Sequence, residues 1–88
     1  MMDIIAEMRT RLKALEPDDL EIEDDSLRHQ GHEGAKSGGG HYNLLIVSRQ
    51  FENQSQVARH RMVFEALDEL MHKQIHALSI KAYTPKEI

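Results

Sequence analysis

An 88-residue chain has material for one modest core and none for a second, and without cysteine it has no disulfide with which to supplement that core. Its net charge of −4 argues against a dedicated nucleic-acid binder, which would present a clearly basic domain. The charge is also uneven: residues 1–26 hold nine acids against three bases, a net of −6, leaving +2 for the other 62 residues. That polarity suits docking to a partner with a complementary field, or is simply a solvated acidic face.

The first element is read from Ile4, Ile5, Met8, Leu12 and Leu15, which recur at helical spacing, with Glu7 four residues before Arg11. This predicts an amphipathic helix over 3–16, ended by Pro17. Leu20 and Ile22 alternate with Glu21 and Glu23, which predicts a short strand with one buried and one acidic, wet face, stopping near Asp24. Residues 25–41 contain all five glycines, with His29 and His32 among them and His41 at the end. No apolar period runs through this stretch, so it reads as a mobile loop, either disordered or fixed only when something binds.

Tyr42, Leu44 and Ile46 point one way and Leu45 and Val47 the other, which predicts a central strand buried on both faces. Phe51 to Asn53 reads as a turn, and Ser55 as the N-cap of the longest helix. Its apolar stripe is Val57, His60, Val63, Phe64, Leu67, Leu70 and Met71. Ile75 to Ala82 alternates and is rich in strand formers, and Pro85 closes the chain's last element. The expected architecture is one α+β domain over 1–88, a two-layer sandwich in the order helix-strand-strand-helix-strand, with both helices on one face of a three-stranded sheet.

Six histidines in so short a chain are the chemical feature, because histidine is the commonest metal ligand and titrates near neutrality. The spacings His29-x2-His32 and His72-x3-His76 occur among zinc ligands, but the second pair spans a helix-to-strand break. A zinc site without cysteine would need three or four His or carboxylate ligands, an uncommon structural site. By strand parity His76 shares a face with Leu78 and Ile80, as a half-buried, hydrogen-bonded histidine would. His60 lies within the apolar stripe of the long helix. Arg59 and Arg61 flank it, and with Arg49 and Lys81 they form a candidate basic patch for phosphate or a partner's carboxylates. No phosphate-binding loop, nucleophile elbow, zinc-protease motif or cysteine nucleophile is present, so the chain is expected not to be an enzyme. No apolar run is long enough for a membrane span, and Met1-Met2-Asp3 carries no basic leader region, which points to the cytoplasm.

Arg59-His60-Arg61-Met62-Val63-Phe64, followed by Ile75-His76-Ala77-Leu78-Ser79-Ile80 and preceded by Ile46-Val47-Ser48, resembles the BolA-like proteins. The similarity runs from about Leu20 to Pro85 and includes Asp24-Asp25-Ser26 and His41-Tyr42. The resemblance implies a fold related to the class II KH domain and a heterodimer with a monothiol glutaredoxin that shares a [2Fe-2S] cluster. In the family this side supplies a histidine at the start of the last strand, matching His76, and a loop ligand, for which His29 or His32 stands here. The thiolates come from the glutaredoxin and bound glutathione, so the isolated chain is expected to hold no cluster and to be a monomer or weak homodimer. Imidazole replacing thiolate on one iron has a physical precedent in Rieske centres. DNA binding and transcriptional regulation through Arg49, Arg59, Arg61 and Lys81 form the alternative the resemblance also implies, although the chain has no G-x-x-G loop in a KH-like position and few stacking aromatics. An interaction adaptor with purely structural histidines is a third reading.

Overall fold

The computed structural model describes residues 3–25 and 40–88. Helix α1 spans Ile4–Leu12 and runs on as a 3-10 turn over Lys13–Leu15. Asp3 caps it, accepting from the Ala6 N–H at 3.2 Å, and the expected Glu7–Arg11 pair closes at 3.1 Å. Glu16 stops it in a left-handed conformation (φ 49°), just before Pro17. Met8, Leu12 and Leu15 are its buried stripe.

Strand β1 (Asp19–Asp24) pairs antiparallel with β2 (Gly40–Val47), and β2 pairs in parallel with β3 (Ile75–Tyr83), giving the order β1-β2-β3. Parallel pairing of β2 and β3 needs a crossover, which the helices between them provide. In register, Leu20, Ile46 and Ala82 form one rung facing the helices, as do Ile22, Leu44 and Ile80. Glu21, Leu45 and Lys81 form a rung on the opposite face, which no helix covers. The two-layer α+β architecture and the element order are as expected from the sequence. The central strand is central because it is hydrogen-bonded on both edges; it is not buried on both faces, since Leu45 and Asn43 are only half-buried on the open side. The strand also begins earlier than expected, so Gly40 and His41 of the 25–41 segment belong to β2.

After β2 the chain makes a 3-10 turn over Arg49–Phe51, and Phe51 is a fully buried core residue as well as the end of that turn. Helix α2 covers Gln56–Leu67, capped by Ser55, whose Oγ accepts from the Ala58 N–H at 3.1 Å. It does not continue to Met71. Asp68 adopts φ 48° and breaks it, and a separate single turn, α3, spans Leu70–Lys73. The buried side of α2 is Arg59, Val63 and Leu67, with Met62 and Ala66 packed beside them. The expected stripe was therefore rotated: Val57 is 69% and Phe64 42% exposed. An arginine at a core position displaced the apparent period, because its aliphatic stem packs inward while its head finds partners.

Those partners make the main polar lock of the core. Arg59 Nε donates to the Gln54 carbonyl at 2.9 Å, and Nη1 donates to the Ala82 carbonyl at 3.0 Å and to Glu87 at 2.7 Å. Glu87 is brought there by the 3-10 turn Pro85–Glu87, and also accepts from the Thr84 N–H at 2.6 Å. The Arg59 hydrogen bonds, then the Thr84 N–H, hold the Glu87 carboxyl at about 2, well below its ordinary 4.5. A second lock is buried Ser48, whose Oγ donates to the Leu15 carbonyl at 2.6 Å and accepts from the Gln50 N–H, tying the end of α1 to the end of β2.

Candidate functional site: a histidine corner at one end of the sheet

The parallel ladder between β2 and β3 is regular except at one place. Gly40 pairs with Ile75, but His41 pairs with Ala77, so His76 is the extra residue of a β-bulge. A bulge leaves its extra residue out of the ladder and re-aims its side chain, which is why such irregularities recur beside functional sites. Strand parity alone would put His76 with Leu78 and Ile80 against the helices. Instead Ile75 takes the buried position and His76 is exposed.

His41 reaches the same corner from the neighbouring strand. Its ring centroid lies 5.2 Å from that of His76, with the planes tilted by 46°. The backbone around the pair is tied down: the Asp25 N–H donates to the His41 carbonyl at 2.7 Å, and the Gly40 N–H to the Gln74 carbonyl at 3.0 Å. Asp25 and Gly40 are thus held beside His41 and the start of β3. The expected loop ligands, His29 and His32, lie outside the described residues. Tyr42 packs its ring over Gly40, where a Cβ would come within 2.5 Å of it. Burial, then the charges of Asp24 and Asp3, raise the Tyr42 hydroxyl above its ordinary value.

Among the described residues no group of three or more His, Asp or Glu side chains is arranged to hold a metal ion. The corner offers the exposed imidazole of His76 with His41 beside it, and the chain has no cysteine to add a thiolate. Such a donor set fits a cluster whose remaining ligands come from elsewhere, since imidazole replaces thiolate on one iron of some [2Fe-2S] centres.

The four cations expected to make a patch do not converge. Arg59 is buried, 6% exposed, and committed to Glu87 and two carbonyls. Arg49 pairs with Asp18 at 3.6 Å near the end of β2. Lys81 is on the open face of the sheet, across Leu45 from Glu21, whereas Arg61 is on the outer side of α2. His60 is half-buried on α2 and His72 is exposed on α3. In the sequence His41 is only the end of the glycine-bearing segment; its pairing with His76 follows from the parallel register, which spacing along the chain does not carry.

A family model described as BolA-like protein matches residues 12–87. Protein BOLA1, chloroplastic, of Arabidopsis thaliana is 46% identical over 84 residues, covering 91% of this chain and 52% of that one. SufE-like protein 1, chloroplastic/mitochondrial, of the same plant is 42% identical over 81 residues, covering 86% of this chain and 22% of that one. This chain thus spans about half of one of these relatives and less than a quarter of the other. A DNA-binding transcriptional regulator BolA of Haemophilus influenzae is 36% identical over 75 residues, covering 85% of this chain and 70% of that one. Among solved structures, the BolA domain of SufE1 from Arabidopsis thaliana superposes with a TM-score of 0.85 at 39% identity, over 100% of this chain and 99% of that one. The organellar names of the plant relatives differ from the cytoplasmic expectation; among the described residues no helix is long and apolar enough to cross a membrane.

Proposed function

The chain belongs to the BolA-like family, and from that premise we propose that it works as the histidine-donating partner of a monothiol glutaredoxin, sharing a [2Fe-2S] cluster in assembly, trafficking or iron sensing. The observation that supports this most is the bulge at His76, which turns a residue of apolar parity out to solvent at the start of β3. His76 would hold the cluster from the rigid side and His29 or His32 from the other. When bound, the cluster supplies an iron pair that changes redox state or passes on to an acceptor. This chain's part is to present imidazole at a fixed position and to orient it, with His41 at its flank. Its role is recognition and ligation rather than catalysis.

Thiolates are the ligands this chain lacks, and the glutaredoxin cysteine with glutathione would provide them. The test is reconstitution with a monothiol glutaredoxin, glutathione, iron and sulfide, followed by visible absorption and circular dichroism. Wild type is expected to give a heterodimer spectrum distinct from that of the glutaredoxin homodimer. His76→Ala is expected to remove that difference, and whichever of His29→Ala and His32→Ala alters it identifies the loop ligand. An unaltered homodimer spectrum in every case contradicts the reading.

One finding favours a second reading, nucleic-acid binding: the name of the Haemophilus influenzae relative. Arg61 and Lys81 are the exposed cations left for it, since Arg59 and Arg49 already have carboxylate partners. It predicts duplex-DNA affinity that falls with salt and falls further in Arg61→Ala; absence of binding at low salt rejects it.

A further inference from the structure

With Arg59, Val63 and Leu67 turned to the core, α2 presents Val57, Arg61, Phe64 and Asp68 on its outer side. Val57 and Phe64 are the exposed large apolar residues of this helix, seven residues and so about two turns apart. Past the break at Asp68 the face continues as a groove lined by Arg61, Phe64, Glu65, Asp68, Met71 and His72. The polar groups are ordered along it: the cation Arg61 lies before Phe64, and the carboxylates Glu65 and Asp68 lie after it. Among the described residues the ion pairs engage neither Arg61 nor Asp68.

A surface with this order is complementary to itself when reversed. Two copies related by a two-fold axis at Phe64 would run their α2 helices antiparallel. Phe64 then meets Phe64 once on the axis, and Arg61 faces Asp68 on either side of it, a pair that occurs twice. This is the pattern an isologous contact requires, in which residue i meets j and j meets i. We propose that the outer face of α2 and α3 is a self-association surface and that its occupant is a second copy of this chain. The face is small. Twelve residues of helix are about 18 Å long and about 10 Å across, a footprint of roughly 200 Å² against the roughly 800 Å² per partner of a standard interface, so the dimer is weak and concentration-dependent. Its exposed ion pairs make it weaken with salt. The proposal does not rest on the cluster reading.

The test is sedimentation equilibrium of the whole chain from about 10 μM to about 1 mM, the range in which contacts of this size associate. Wild type is expected to move toward the dimer mass as concentration rises. Phe64→Glu and Arg61→Glu, both at exposed positions, are each expected to remain at the monomer mass. An equimolar mixture of Arg61→Glu with Asp68→Lys is expected to associate where neither does alone, because each new charge then faces its opposite. Asp68 has a positive φ, so if circular dichroism reports that Asp68→Lys is not folded, Glu65→Lys on the same groove replaces it. Monomer mass for wild type throughout overturns the proposal and leaves the face to a different protein. Association unchanged by Phe64→Glu, or no gain in the mixture of two folded variants, overturns it as well.

Discussion

At the scale of single residues, two buried polar groups hold this fold, and each makes a measurable prediction. Ser48 Oγ satisfies the Leu15 carbonyl where α1 ends, so Ser48→Ala leaves that buried acceptor without its donor. The expected cost is about 1–3 kcal/mol, read as a lower urea midpoint at unchanged slope. Glu87 is held at about 2 by Arg59 and the Thr84 N–H, so its contribution to stability is fully present above its unfolded value of 4.5. That contribution is lost as pH falls from 4.5 through about 2. Glu87→Gln should therefore be less stable than wild type at neutral pH, and the two stability curves should converge as pH approaches 2; curves that stay parallel would contradict the lock. Arg59 was misread from sequence as a surface cation because its partner is 28 residues away. A local cue existed, since Thr84-Pro85-Lys86-Glu87 has the spacing of a helix-start motif that fixes a glutamate inward.

At the scale of elements, periodicity served where one rule governed the segment. Leu12 and Leu15 before Pro17, and Leu20 and Ile22 between acids, were sufficient for α1 and β1. It misled where two requirements were superposed on one segment. In α2 the core position taken by Arg59 hid the true stripe, so Val57 and Phe64 were counted as buried. In β3 the sequence Ile75-His76-Ala77-Leu78 alternates too evenly to betray a bulge, which depends on the neighbour strand's register. That bulge is set beside Gly40, and Gly40 is there because the Tyr42 ring occupies the space of a side chain. Gly40→Ala should therefore displace Tyr42, lower stability by about 1–3 kcal/mol in denaturant titration, and shift the His41 and His76 ring resonances. By contrast His76→Ala, at an exposed position outside the ladder, should leave the unfolding midpoint within about 0.5 kcal/mol of wild type. Equal loss of stability in both would mean that His76 is a structural residue.

At the scale of the molecule, the order of elements and the single helical layer were legible because five amphipathic stripes admit few ways to be covered. The antiparallel and parallel pairings, and so the meeting of His41 with His76, were not, because strand order leaves no local mark. Of the acids in the first third of the sequence, those of β1 lie along one edge of the sheet, with Glu21 and Glu23 on the open face. The histidine corner is at one end of that sheet, with the backbone of Asp25 and Gly40 bonded beside it. One face is covered by helices, and one end exposes His76 beside His41.

The central claim is that an imidazole of this chain coordinates iron in a shared cluster. It is tested most directly by pulsed electron paramagnetic resonance on the reduced complex, with only this chain's histidines labelled with nitrogen-15. The account predicts a strongly coupled nitrogen-15 signal that His76→Ala removes or reduces in folded protein. A reduced cluster with no coupled nitrogen from labelled wild type would contradict it.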